Sequence, residues 1–164
     1  MSTRTRRRGL QVRALAAVSL SLAAGPASAR LGGPRESVEA DRAHFAASLS
    51  TVQRTTHAVH TLSLPNGGTI REFTRADGVV FAVAWRGPGR PDLRQLLGAD
   101  FDALQAANVA PRGRRTRRPL TLDRGDLQIV TGGHPGAFWG MAWRPGLAPQ
   151  GFSTRSLSPG SMRP

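Results

Sequence analysis

The strongest constraint on what this chain can fold into is a repeated alternation of bulk. Residues 79–85 place Val79, Phe81, Val83 and Trp85 on one side of an extended backbone, with Val80, Ala82 and Ala84 on the other. Residues 137–143 repeat the arrangement, with Ala137, Trp139, Met141 and Trp143 against Phe138, Gly140 and Ala142. Side chains alternate between the faces of a strand, so both stretches read as strands whose bulkier face needs cover. At about 25 cal/mol per Å² and roughly 150–250 Å² for each buried aromatic, Trp85 and Trp143 read as packing anchors before they read as binding residues.

The surrounding segments extend this pattern. An offset of 58 residues aligns Leu62 with Leu120, Leu64 with Leu122, Gly67 with Gly125, Gly78 with Gly136, and Ala84, Trp85 and Arg86 with Ala142, Trp143 and Arg144. Ahead of the first strong strand, Ser37 is placed to cap a helix running to about Leu49, and 57–64 and 69–75 read as strands. The turn 65–68 separates those two, and Asp77 with Gly78 makes a tight hairpin. In the second half, Asp92 is placed to cap a helix to about Ala107, and 119–122 and 126–131 precede the last strand. The expected fold is α+β: two helix-plus-three-strand antiparallel meander halves, 35–88 and 91–145, with a candidate internal duplication and the helices on one side of the sheet. Residues 30–148 form a single domain in this reading. The tail 149–164, rich in Ser, Pro, Gly and Arg, is expected to be poorly ordered.

The N-terminal 29 residues have the order of an export signal. Arg4, Arg6, Arg7, Arg8 and Arg13 form a cationic start, 14–24 is apolar, and Ala27, Ser28 and Ala29 form a small-residue end with cleavage expected after Ala29. The apolar stretch falls well short of the roughly 20 residues a membrane-crossing helix needs, and the mature chain holds no longer run. The expected location is the periplasm or the exterior, with the ordinary secretory route favoured over the twin-arginine one. The chain has no Cys, so neither a disulfide nor a lipidated cysteine is available and the core alone must supply stability.

Arginine supplies the whole of the basic content, 23 residues against 10 acidic ones, for a formal net charge of +13. That balance suits an anionic partner, although it also serves solubility. The densest run, Arg112, Arg114, Arg115, Arg117 and Arg118, sits among Pro111, Gly113 and Pro119 and reads as a solvated loop. It is the candidate polyanion loop. No aromatic residues are interleaved with these arginines, and an exported chain seldom meets nucleic acid, so an anionic component of the cell envelope is the better expected partner.

Several chemistries lack their residues. A cysteine nucleophile is excluded, and no serine lies in a glycine-flanked elbow. Of His44, His57, His60 and His134, His57 and His60 point to opposite faces of a strand, so a metal site would need a loop at His57 or convergence of His60 with His134, and no metal and no cofactor are expected. Glu36, Glu39 and Asp41 fall in a first helical region, where acidic residues favour the helix dipole more simply than they serve as a paired-carboxylate centre. Gly132 and Gly133 ahead of His134, with Phe138 and Trp139 following, form the candidate pocket.

The blocks Leu31 to Val38, Val59 to Trp85 with Gly67, Arg71, Glu72, Phe73 and Gly78, and Gly87, Pro88, Pro91, Asp92, Leu93, Leu96, Leu97 and Gly98 resemble a family of small exported proteobacterial proteins known as a domain of unknown function (DUF2844). Gly132, Gly133, His134, Ala137, Phe138 and Gly140 resemble its third block. The family pattern often carries Arg where this chain has Gly136. The resemblance implies export and a common fold and brings no activity with it. The expected function is therefore a soluble, non-enzymatic binding or accessory protein of the cell envelope. The alternatives are an envelope enzyme with its site near His134 and a polyanion binder using the arginine loop.

Overall fold

A computed structural model describes residues 31–109 and 119–162 of the 164-residue chain. The architecture is α+β: a seven-stranded antiparallel sheet with three short α-helices. The helices are α1 (Glu36–His44), α2 (Leu93–Leu97) and α3 (Asp100–Val109). The strands are β1 (Ser48–Gln53), β2 (His57–Ser63), β3 (Thr69–Arg75), β4 (Val80–Gly87), β5 (Leu120–Asp123), β6 (Gln128–His134) and β7 (Ala137–Trp143). Their order is β1-β2-β3-β4-β7-β6-β5, so two meanders meet where β4 pairs with β7. Three 3-10 turns, Pro145–Leu147, Thr154–Leu157 and Pro159–Met162, follow the last strand.

The helices depart from the sequence expectation in two places. Ser37 does not cap α1; its hydroxyl donates to the Pro34 carbonyl at 2.6 Å, and Arg35 precedes the helix without a side-chain cap. The helix ends at His44, and Ala46 takes a left-handed φ of 48°. The next residues, with Thr51 and Val52 suited to a pleated surface, form β1, an additional strand in the first half. Asp92 does cap α2, accepting from the Arg94 and Gln95 amides at 3.0 and 3.2 Å. The expected single helix then breaks at Gly98, where φ is 56°, and resumes as α3.

Two clusters lie on the two faces of the sheet. Leu62, Ile70, Val83, Trp85, Ile129 and Ala142 pack with the helical residues Val38, Leu96, Leu97 and Leu104. On the other face Val59, Phe73, Phe81, Ala82 and Ala84 pack with Leu157, flanked by Trp143, Leu147 and Phe152. Phe81 reaches the second face through a β-bulge: the register runs Phe73 to Ala82 and then Thr74 to Val80, leaving Phe81 as the extra residue. The expected sharing of one face by Phe81, Val83 and Trp85 is corrected by that single insertion.

The two tryptophans are corrected in the same way. Directly opposed residues of an antiparallel pair share a face. The β4 to β7 register sets Trp85 opposite Gly140 and Trp143 opposite Ala82, one pair in each cluster. The offset of 58 therefore matches tryptophans that project from opposite faces, while its leucine pairs, Leu62 with Leu120 and Leu64 with Leu122, pack on the same face.

The tail also differs from its expected weak order. Leu157 is fully buried, and Phe152 contacts Phe81 edge-on with centroids 4.8 Å apart. Arg71 lies over the Phe73 ring and donates to the Ser161 carbonyl at 3.0 Å. Burial of these two apolar side chains holds a polar-looking segment against the sheet. Among the described residues no helix is long and apolar enough to cross a membrane.

Candidate functional site

The β6–β7 hairpin brings His134 opposite Ala137 and closes through Pro135 and Gly136. Gly133, at φ 107°, has its backbone against the Ala137 carbonyl, where a Cβ could not fit. Gly132 faces Trp139 across the strands, and its added Cβ would sit 3.0 Å from the indole. The two glycines therefore permit close approach within the hairpin.

A cavity of about 800 Å³ opens beside this hairpin, between the α2–α3 pair and the β5–β6 end of the sheet. That volume lies within the range of small-molecule sites. Leu93, Phe101, Leu104 and Leu120 supply apolar walls, while Arg90, Gln105, Asn108, Thr131 and His134 bring polar groups to it. Arg144 fastens α3 in place, with one guanidinium nitrogen 2.9 Å from both Asp100 carboxylate oxygens and another 2.6 Å from Asp126.

Four residues of the sequence-predicted pocket, Gly132, Gly133, His134 and Trp139, line this cleft, and Phe138 does not. Phe138 instead lies beneath the Arg90 guanidinium, 4.8 Å from its ring centroid, and Arg90 itself lines the cleft. His134 Nδ1 lies 2.9 Å from the Pro135 carbonyl, which can only accept, so the neutral ring carries its proton on Nδ1 and leaves Nε2 as an acceptor. Thr131 donates to the Trp139 carbonyl at 3.1 Å.

Sequence reasoning missed Arg90, Gln105 and Asn108. No local motif marks them, because they reach the cleft only when α3 folds over β5 and β6. The loop arginines Arg112, Arg114, Arg115, Arg117 and Arg118 lie outside the described residues. Residues 110–118 join Asn108 and Val109 to Pro119, and both Asn108 and Pro119 line the cleft.

A second concentration of polar side chains is buried under α1. Asp41 and Glu72 are 0 and 1 % exposed, and Gln95 of α2 donates to Asp41 Oδ1 at 2.7 Å. Burial first, then the Asp41 charge and a side-chain interaction with Asp41, raise the Glu72 carboxyl well above its ordinary range. Beside them the His60 ring is held by Thr51 at 2.9 Å and Thr74 at 3.0 Å, and burial followed by the Arg35 charge lowers its pKa. Neither carboxyl lines the cleft beside His134. Among the described residues no group of three or more His, Asp or Glu side chains is arranged to hold a metal ion.

No curated protein and no solved structure matches the chain significantly. The model of the family described as protein of unknown function (DUF2844) matches residues 27–157, a span that covers the whole sheet and ends at the buried Leu157. Through that match the chain belongs to the DUF2844 family.

Proposed function

We propose that this chain is an exported, soluble, non-enzymatic binding protein of the bacterial cell envelope, and that the cleft beside His134 seats its ligand. The order of residues 1–29 supports export. The observation that carries the binding role is the composition of the cleft. Its described lining combines four apolar walls with Arg90 and His134 and contains no carboxylate. Such a lining complements a compact amphipathic molecule bearing an anionic group, the chemistry of an envelope lipid head group or acidic glycan. A lone histidine without an acid or base partner suits holding a ligand better than turning one over.

Binding of anilinonaphthalene sulfonate, an aromatic body with one sulfonate, tests the cleft. Saturable binding that weakens in Arg90→Gln and with added salt, at an unchanged melting temperature, is the expected result. Equal binding to parent and variant would remove the cleft as the site. The competing enzyme reading draws on the free Nε2 of His134 and predicts that His134→Ala abolishes turnover of an envelope substrate. Export is tested separately by N-terminal sequencing of protein from the periplasm, where a start at Arg30 is expected.

A further inference from the structure

Two segments of the chain meet at one end of the cleft and fix Arg90 beside His134. The Gly136 amide donates to the Pro88 carbonyl at 3.2 Å, which ties the tip of the β6–β7 hairpin to the segment leading into α2. Two residues on, the Arg90 guanidinium lies 4.8 Å from the Phe138 ring centroid. Phe138 pairs with Gly133 and Ala137 with His134, so the guanidinium stands over the rung next to the histidine.

A guanidinium stacked on a ring spreads its N–H groups in its own plane, where they match the two oxygens of a carboxylate or phosphate. Among the described residues no carboxylate pairs with Arg90. The aspartates nearby are engaged elsewhere: Asp92 caps α2, Asp100 and Asp126 hold Arg144, and Asp102 faces Arg94 at 3.7 Å.

His134 places a different demand on a ligand. Its Nδ1–H is taken by the Pro135 carbonyl at 2.9 Å, so the nitrogen left for the cleft, Nε2, accepts in the neutral ring. An ionised carboxylate has no hydrogen to give that nitrogen, whereas a hydroxyl has one. A stacked arginine and an acceptor nitrogen on adjacent rungs therefore suit an anionic group and a hydroxyl at the same end of one molecule. Leu93, Phe101 and Leu104 are left to take its apolar body.

We infer that the cleft selects hydroxy acids, molecules whose anionic group is held by Arg90 and whose neighbouring hydroxyl donates to His134 Nε2. This inference rests on the cleft being the binding site and adds the hydroxyl to what the ligand must carry. Sugar acids and hydroxylated phospholipid head groups share that chemistry.

The test displaces anilinonaphthalene sulfonate from the full mature chain with three acids built on one aromatic body: mandelate, its methyl ether and phenylacetate. The ether keeps the oxygen without its hydrogen and phenylacetate lacks the oxygen, so one control is larger than mandelate and the other smaller. At mildly alkaline pH mandelate should compete at least about fivefold better than either, the ordinary contribution of one hydrogen bond. Arg90→Gln should weaken all three together, because the carboxylate is common to them. In His134→Ala the advantage of mandelate, read as a ratio within that variant, should disappear, and in His134→Gln, whose amide oxygen accepts, part of it should return. Should the His134 variants unfold, the three-acid comparison in the parent chain decides alone. Octyl glucuronide and dihexanoyl phosphatidylglycerol then separate the sources, the stronger competitor identifying a sugar acid or a phospholipid head group. Equal displacement by the three acids, an advantage of mandelate that survives in His134→Ala, or failure of both larger competitors would overturn the proposal while leaving the cleft as a site. Absence of saturable dye binding would remove the cleft and this proposal with it.

Discussion

Trp85 lies across its cross-strand partner Gly140, so closely that a Cβ added to the glycine would stand 2.5 Å from the indole Cε2 atom. Trp85 is 1 % exposed, and the ring occupies the space that a side chain on β7 would otherwise fill. Trp139 repeats the relationship over Gly132. The glycines of β6 and β7 thus provide room for aromatic rings from the neighbouring strand.

Gly140→Ala should destabilise the fold by about 1–3 kcal/mol, the ordinary result of overpacking a filled core, because the backbone of β7 cannot move without breaking its pairing with β4 and β6. Urea denaturation checks this. A midpoint equal to the parent's would mean that the indole does not rest where the contact places it.

The Asp41–Glu72 pair predicts stability that declines with rising pH. The fold raises the Glu72 carboxyl well above the ordinary 4.5 that applies to the unfolded chain. Its contribution is complete below that value and is lost as pH rises through the raised folded pKa. Glu72→Gln keeps the shape and removes the proton, so its stability should vary less across the same alkaline-going range. Parallel pH profiles for parent and variant would contradict the raised Glu72 carboxyl.

His57 predicts the opposite slope. Its ring sits among Phe73, Phe81 and Phe152, with centroids 6.0, 6.1 and 5.3 Å away. Burial, then the charges of Arg54 and Arg71, lower its pKa below the ordinary 6.5. The neutral ring is favoured in the fold, so its contribution is present above 6.5 and is lost as pH falls through the folded pKa. In His57→Gln the acid-side loss should shrink, as read by thermal melting across that window. His60, also lowered, leaves a residual slope.

Leu157→Ala should cost about 2–5 kcal/mol, as for a large buried aliphatic side chain, although it lies in a segment rich in serine and proline. Deletion from Gly151 onward should cost more, because it also removes Phe152 from the Phe73 and Phe81 rings. A deletion variant as stable as the parent would show that the tail contributes nothing to the second sheet face.

Much of the sheet was legible because its cues are local. Alternating bulk marks β4 and β7, Asp77 and Gly78 mark the turn before β4, and Asp92 marks the start of α2. The site was legible only in part. His134, Gly132, Gly133 and Trp139 stand together in sequence, and the hairpin keeps them together on the cleft. Arg90 and Gln105 are distant along the chain and carry no motif.

What the sequence determined by itself is the inventory: an antiparallel α+β body without disulfides, strongly basic, preceded by a segment with the order of an export signal. Tertiary structure alone decided which face each side chain takes, because one inserted residue at the β3–β4 bulge moves Phe81 across the sheet and the β4–β7 register parts Trp85 from Trp143. It also decided that 48–53 becomes an edge strand and that Leu157 belongs to the core. Those outcomes depend on free energy gained only when distant apolar surfaces meet, and no window along the chain contains both surfaces.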